Sequence, residues 1–309
     1  MLYSNFLSPI DDYSNLPFRL LCQKYGAVAT CVPLVNSTAI TNNPEKLKIV
    51  DAHQEEKNIG IQFVGNQPSE MGIATKKIMD NFSFISWFNI NCGCPSARTM
   101  NSGGGSALLH HPKKIIDSIK EIKKYTDLPV TVKVRIKHNF EETLSICKQL
   151  EQAEVSFIII HGRTAGAGYS GKADWQLIKA LKEQLSVPLV GNGDITSANE
   201  GEKLVQEGYC DSYMVARAAM SNPKVFCNEK LNTIDDRTNL LDEYIDLYRT
   251  YFGGEPQLKD VKLKALNFVS GAPNAASIRN LIARAKTVEE IINIKEKLET
   301  SQELIHITV

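Results

Sequence analysis

Eight times along the chain a short apolar run is followed by a loop and then by an amphipathic stretch. That beat limits the possible fold more than any composition figure does. The candidate strands are Asn5–Pro9, Val28–Pro33, Asn58–Val64, Ser86–Asn91, Pro129–Ile136, Val155–His161, Val187–Asn192 and Asp211–Ala216. Helical patterning fills the gaps at Leu16–Tyr25, Ser69–Asn81, Pro112–Tyr125, Glu141–Gln152, Trp175–Gln184 and Ser197–Gln206. Several of these stretches carry start and stop chemistry, such as Pro112 and Asp174 at the front and Gly26 and Gly208 at the back. Strands separated by crossovers of this length pair in parallel, and eight parallel strands close a barrel. The expected fold is therefore α/β, a (β/α)8 TIM barrel, with the crossover around Thr38–Val50 its least defined unit. Past Pro223 the strand signal stops, and Asp235–Phe252, Lys259–Val269, Ala275–Ala285 and Val288–Glu299 read as four helices. The division is expected between a barrel over 1–230 and a helical domain over 231–309.

In such a barrel the chemistry gathers where the strands end. Strand three presents Gln62 between Ile61 and Phe63. Strand four puts Asn89 and Asn91 on one face, Phe88 and Ile90 on the other, and stops at Cys92-Gly93-Cys94-Pro95. Alone, that stretch also suits a core strand with Cys94 as a small apolar filler. Strand five reads Val130-Thr131-Val132-Lys133-Val134-Arg135, so alternation turns the valines to the helices and Thr131, Lys133 and Arg135 into the barrel. An isolated charge inside a protein is very costly. The two cations require an anion, an electron-rich ligand, or a salt bridge to an acid such as Asp194. Strand six exits into His161-Gly162-Arg163-Thr164, strand seven into Gly191-Asn192-Gly193-Asp194, and strand eight into Ala216-Arg217. The last two exits are where this fold holds phosphate: Gly193 admits backbone N–H groups to an anion and Arg217 can neutralise it. A phosphate at one edge, Lys133 and His161 deeper, Gln62 and Asn91 across the mouth and Cys94 on the rim fit a phosphorylated planar cofactor. FMN meets that description, and no G-x-G-x-x-G follows the first strand to suggest a dinucleotide.

Composition excludes some classes. A formal net charge of zero argues against coating nucleic acid by bulk positive charge. No apolar run nears the roughly 18 residues of a membrane span, and no secretory signal is expected from Met1-Leu2-Tyr3-Ser4-Asn5. Seven cysteines without framework spacing indicate a reducing compartment. Cys92-x-Cys94 lacks zinc-site spacing and no His cluster supplements it, so no metal is expected.

The motifs together resemble the tRNA-dihydrouridine synthase family. Ser8-Pro9 with Leu16-Pro17-Phe18-Arg19 is similar to its opening motif. Asn89-Ile90-Asn91-Cys92-Gly93-Cys94-Pro95, then Gly103, Gly105 and Leu108-Leu109, is similar to its catalytic signature. Val132-Lys133-Val134-Arg135, His161-Gly162-Arg163-Thr164 with Tyr169, Gly191-Asn192-Gly193-Asp194-Ile195 and Met214-Val215-Ala216-Arg217 follow in the family's order. The resemblance implies FMN as cofactor, NADPH or NADH as electron donor, hydride delivery to C6 of a tRNA uracil, and proton delivery to C5 by Cys94. A thiol is mostly protonated near neutrality and can serve as that acid. Pro9, Gln62, Asn91, Lys133, His161, Asn192, Gly193, Asp194, Ala216 and Arg217 are the cofactor contacts it implies. Lys133 lies against the ring edge. The helical domain becomes the tRNA-docking part, and Arg98, Arg135, Arg163, Lys262, Lys264 and Arg279 the tRNA contacts. A cytoplasmic monomer is expected.

Departures from the family pattern are Ile10, Asn15, the Arg98-Thr99 pair in place of Lys-Val, Ala165, Ala167, and Ala216 in place of Gly, which requires a negative φ there. Two other readings stay open: an FMN barrel reducing a small molecule, and a catalytically idle tRNA-binding or chaperone protein. The helices after Pro223 and the Cys94-Pro95 signature count against the first. Intact Cys94, Lys133 and His161 count against the second.

Overall fold

The computed structural model describes residues 2–294. All eight expected strands form: β1 (Asn5–Leu7), β2 (Thr30–Asn36), β3 (Ile59–Val64), β4 (Trp87–Cys92), β5 (Val130–Arg135), β6 (Ile158–His161), β7 (Leu189–Asn192) and β8 (Ser212–Val215). Every pairing is parallel, in the order β1-β8-β7-β6-β5-β4-β3-β2. A parallel bridge from Phe6 to Ala29, with Leu7 N donating to Ala29 O at 2.9 Å, closes the ring just ahead of β2. The helices are α1 (Leu16–Lys24), α2 (Ser37–Asn42), α3 (Pro68–Asn81), α4 (Ala97–Asn101), α5 (Pro112–Lys123), α6 (Phe140–Gln152), α7 (Trp175–Gln184), α8 (Ala198–Gln206), α9 (Arg217–Ser221), α10 (Ile234–Phe252), α11 (Leu258–Phe268), α12 (Ala275–Arg284) and α13 (Val288–Ile292). The ill-defined second crossover is α2 followed by a 3-10 segment over Pro44–Ile49. The last expected helix continues past residue 294, outside the described residues.

Alternation along the strands builds two separate apolar layers. Ile61, Phe63, Phe88, Ile90, Val130, Val132 and Val134 pack outward against Met71, Ile115, Ile119 and Ile146 of α3, α5 and α6. Each such side chain contributes about 1.5–3 kcal/mol when fully buried. Inside, Phe6, Trp87 and Phe157 meet with ring centroids 5.5–5.8 Å apart and, with Ile159, Val190 and Met214, fill the barrel floor. The lumen is thus a packed core below, and only its upper part can hold a ligand.

The chain divides into two compact units: one runs to Asp11 and again over Ala27–Ala216, and the other is Asp12–Gly26 together with the chain from Arg217 on. The sequence places the division at residue 230, but α1 and α9 fall in the second unit. Their polar contacts explain why. Within that unit Lys24 and Tyr25 both hold the Glu243 carboxylate at 2.8–2.9 Å, Asn15 Nδ2 donates to Tyr244 Oη at 2.9 Å, and Tyr13 Oη donates to Met220 O at 2.7 Å.

Candidate active site

The polar interior begins one layer above the aromatic floor. Register aligns Gln62 with Asn89, Asn89 with Thr131, and Asn91 with Lys133 across β3, β4 and β5. These side chains form one directed series. Thr131 Oγ1 donates to Phe88 O, Asn89 Nδ2 to Thr131 Oγ1, Gln62 Nε2 to Asn89 Oδ1 and Asn91 Nδ2 to Gln62 Oε1, all at 2.8–2.9 Å. Asn91 Oδ1 then accepts the backbone N–H of Gly93 at 3.1 Å and of Cys94 at 2.9 Å. Each link satisfies a group that would cost about 1–3 kcal/mol if buried unpaired. The series therefore fixes the loop carrying Cys94 to the barrel wall. One amide hydrogen each of Gln62 and Asn91 has no acceptor among the described residues.

Lys133 sits in the same layer, part-buried. Its Nζ donates to Asn192 Oδ1 at 3.2 Å, and Asn192 Nδ2 donates on to Met214 O at 2.8 Å. Asn192 is thereby a strut between β5, β7 and β8, with both ends of its amide engaged. Among the described residues Lys133 makes no ion pair and has no other hydrogen-bond acceptor. Burial, and then the neighbouring Arg135, push its pKa down to about 8, against an opposing pull from the Cys94 sulfur. An ammonium with three donors and one neutral partner fits an electron-rich or anionic ligand above it, as an FMN ring edge would be.

The other barrel cations are satisfied by the protein. Arg135 Nε donates to Gly93 O at 2.9 Å, and its Nη1 donates to Thr164 O at 3.0 Å and Gly168 O at 2.8 Å. Its Nη2 has no partner among the described residues. Arg163 is fully engaged: Nε holds Ser170 O at 3.1 Å, Nη2 holds Gly171 O and both Asp194 carboxylate oxygens at 2.7 Å, and Nη1 lies 3.4 Å from His161 Nε2. The expected tRNA contact at Arg163 is therefore corrected: its side chain is 3% exposed and ion-paired inside the barrel rim. The salt bridge considered for Asp194 with a strand-five cation goes to Arg163 instead. Together the two arginines grip both ends of the 164–171 loop and leave Tyr169 on its tip, 65% exposed, with the Arg135 guanidinium 5.9 Å from its ring centre.

At the phosphate edge Gly193 takes φ +129°, and a Cβ there would lie 2.6 Å from Ala173 Cβ and 3.1 Å from His161 Cδ2. Asp194 follows at φ 58°, its carboxylate also accepting from Ala173 N at 2.8 Å. These two positive-φ residues turn the chain sharply at the exit of β7. Ala216 takes no positive φ, as the departure from glycine requires. Pro9 lies part-buried just beyond β1. Arg217 is exposed, begins α9, and belongs to the second unit.

Cys94 is part-buried. Its Sγ lies 3.4 Å from Ser96 Oγ and 3.6 Å from Thr99 Oγ1, and its single S–H can be given to either hydroxyl. In the sequence Thr99 is notable only as a departure from the family's Val, and neither hydroxyl is assigned a role there. The spacing Ser96-x-x-Thr99 is the available signal, because an N-cap and the residue three positions on meet across one turn. Arg98 is exposed on α4.

In the second unit Arg279 is exposed and Lys262 is part-buried, its Nζ donating to Ala283 O at 2.9 Å. The expected tRNA contact at Lys264 is corrected. That side chain is 1% exposed, its Nζ donates to Tyr13 O at 2.6 Å, and the rings of Tyr13, Tyr244 and Phe18 lie 3.8, 5.2 and 5.3 Å away. No group of three or more His, Cys, Asp or Glu that could hold a metal occurs among the described residues.

The family profile of dihydrouridine synthase (Dus) matches residues 6–305. A probable tRNA-dihydrouridine synthase of Aquifex aeolicus is 30% identical over 306 residues, covering 96% of this chain and 95% of that one. The tRNA-dihydrouridine synthase B of Pasteurella multocida is 35% identical over 225 residues, 72% of this chain and 67% of that one. Among solved structures, histamine dehydrogenase from Rhizobium sp. 4-9 superposes with a TM-score of 0.56 at 13% identity, over 79% of this chain and 49% of that one. A 2-naphthoyl-CoA reductase complex does so with a TM-score of 0.56 at 12% identity, over 84% and 55%. The chain spans about half the length of these two structures, and they share its barrel fold.

Proposed function

This chain belongs to the dihydrouridine synthase family, and we propose that its barrel mouth reduces uridine in tRNA to 5,6-dihydrouridine on a bound FMN, with NADPH or NADH as electron donor. The observation that carries the reading is Lys133, a cation inside the barrel with one neutral partner and, among the described residues, no counter-ion. Reduced flavin, when bound, supplies the hydride for C6 of the base. Everything else is asked of the protein. Lys133 sets positive charge against the ring edge, and Gln62 and Asn91 offer their spare amide hydrogens to its polar rim. His161, whose Nε2 faces Arg163 Nη1, donates from Nδ1 when neutral. Gly193 and Asp194 offer backbone N–H groups to the phosphate beside Ala216, and Arg217, expected there from the sequence, begins the second unit.

Cys94 holds the proton for C5. Its amide is tied to Asn91 and its sulfur lies within electrostatic reach of Lys133 and Arg135, so a thiolate left there faces two cations. The free Nη2 of Arg135 and the exposed ring of Tyr169 are the groups able to meet a base taken out of its stack. Docking of the rest of the tRNA is assigned to the second unit through exposed cations such as Lys259, Arg279 and Arg284, and to Arg98 on the barrel unit. The same reading takes the protein as a cytoplasmic monomer. The deciding experiment is to map dihydrouridine in tRNA from cells with and without this protein, alongside the absorption spectrum of the purified protein. Loss of dihydrouridine at specific positions and a yellow protein with an oxidised-flavin spectrum are expected. An unchanged map together with a colourless protein that takes up no flavin refutes the reading.

A further inference from the structure

We infer that in this chain, where Thr99 stands in place of the family's usual Val, the hydroxyl pair of Ser96 and Thr99 has taken over positioning the Cys94 thiol and returning its proton after each turnover, with Thr99 fixing the sulfur and Ser96 connecting it to water. The inference rests on the proposed role of Cys94 as the acid. Three contacts close a small triangle: Cys94 Sγ to Ser96 Oγ at 3.4 Å, Cys94 Sγ to Thr99 Oγ1 at 3.6 Å, and Ser96 Oγ donating to Thr99 Oγ1 at 2.9 Å. Sulfur hydrogen bonds are long and weak, so such a triangle matters only if its corners cannot drift.

Thr99 cannot drift. It is 8% exposed, its N–H donates to Ser96 Oγ at 3.3 Å, and its carbonyl accepts from Ser102 Oγ at 2.7 Å and from Gly104 N at 3.1 Å. Its methyl group is wedged by the glycine loop. Gly105 sits at φ +58°, where a Cβ would come within 2.8 Å of Thr99 Cγ2 and 2.6 Å of Cys94 O. A β-branched side chain is stiff at χ1, and with its methyl against the glycine loop the Thr99 hydroxyl lies 3.6 Å from the sulfur. Ser96 differs in one respect: it is exposed, so its hydroxyl reaches bulk water.

The proton balance follows. As hydride reaches C6, the S–H bond of Cys94 breaks and a C–H bond forms at C5, leaving a thiolate. The Ser96 hydroxyl turns from Thr99 to the sulfur, its O–H bond breaks as S–H re-forms, and water supplies the replacement proton. Thr99 Oγ1 meanwhile donates to the sulfur, holding it in place. Both act through the Cys94 sulfur, so both are positioning residues.

The test uses flavin-loaded protein and three substitutions. Thr99→Val keeps the shape and removes the hydroxyl, Thr99→Ser restores it, and Ser96→Ala cuts the path to water. Reduction of the flavin by reduced nicotinamide and KM for tRNA should stay as in the unaltered protein. The single-turnover oxidation of reduced enzyme by tRNA should slow about tenfold in Thr99→Val and recover most of its rate in Thr99→Ser. Ser96→Ala should slow repeated turnover in proportion to falling buffer concentration while leaving the first turnover within about threefold. Independently of turnover, alkylation of Cys94 by iodoacetamide, read at its own peptide by mass spectrometry, should slow about threefold in Thr99→Val. Unaltered rates for both variants, with Cys94→Ala inactive, overturn this inference and leave the site reading intact. Full activity of Cys94→Ala overturns the site reading itself. A loss in Thr99→Val that Thr99→Ser fails to restore, or that extends to flavin reduction, makes the residue merely structural and also overturns the inference.

Discussion

Replacing Lys133 with methionine should make the flavin-free protein more stable and a poorer flavin binder. Methionine nearly matches the stem in volume, so the change removes a charge and its one hydrogen bond without opening a cavity. In the free protein the Lys133 pKa is pushed down to about 8 from an ordinary 10.5, chiefly by burial. A lysine with a lowered native pKa binds fewer protons folded than unfolded between those two values. Stability therefore rises with pH across about 8 to 10.5, and the full cost of the buried charge is felt below about 8. Each pKa unit corresponds to 1.36 kcal/mol, which gives about 3 kcal/mol, reduced toward about 2 because the side chain is only part-buried. The assay is urea unfolding of flavin-stripped protein at several pH values from 7 to 10, repeated with flavin in excess. Lys264 adds a slope over an overlapping window, so the quantity to read is the difference between Lys133→Met and the unaltered protein. That difference should favour the variant by about 2 kcal/mol at pH 7 and shrink toward pH 10. Saturating flavin should reverse its sign, since a ligand that binds only the folded state stabilises it in proportion to its affinity. A flavin-free variant that is less stable at pH 7, or a difference independent of pH, refutes the claim that this cation waits for a ligand.

Three further outcomes follow from the geometry. Cys94→Ala should retain flavin and its reduction by nicotinamide but lose about 10²–10⁴ in tRNA reduction, the range for removing a general acid, as read by stopped-flow oxidation of the reduced enzyme. Gly193→Ala must fit a Cβ 2.6 Å from Ala173 Cβ at φ +129°, so it should weaken flavin retention and destabilise by about 1–3 kcal/mol, measured by flavin fluorescence and thermal melting. Lys264→Met should leave the tRNA salt dependence unaltered, because the buried ammonium meets no phosphate. The same variant should flatten the stability gain that the unaltered protein shows as pH climbs from about 7 toward 10.5, because burial holds the Lys264 pKa down to about 7. A smaller salt slope in the variant would put that lysine back among the tRNA contacts.

Much of the barrel was legible because its strands obey a period of two on both sides of the wall. Val130, Val132 and Val134 point out while Thr131, Lys133 and Arg135 point in, and both sets lie where alternation puts them. β6 and β7 begin three and two residues later than their expected runs and end where expected, and β8 loses one residue at each end, because the ladder pairing covers only those residues. What periodicity could not see was the allegiance of α1. Its amphipathic pattern is that of any barrel helix, and only contacts more than 200 residues away, such as Lys24 and Tyr25 with Glu243, assign it to the second unit. The site followed the same division. Gln62, Asn91, Lys133 and Asn192 could be picked out as candidates because a polar residue in an apolar strand is conspicuous. Their wiring could not, because a side-chain amide does not announce its partner.

Four cations that look alike in sequence show what the structure adds. Arg163 has a carboxylate and two carbonyls, Arg135 has three carbonyls, and Lys264 has a carbonyl and three rings. Each charge is answered by the chain itself, and each ties two segments together: the 164–171 loop to the barrel rim for the arginines, α11 to Tyr13 for the lysine. Lys133 ties nothing but a neutral amide. Lys133 is part-buried where the other three are buried. The Asp194 carboxylate is held by Arg163, and among the described residues no carboxylate pairs with Lys133, so its charge is left to be answered from outside the protein. Under the proposed function that answer is the polar edge of a flavin ring.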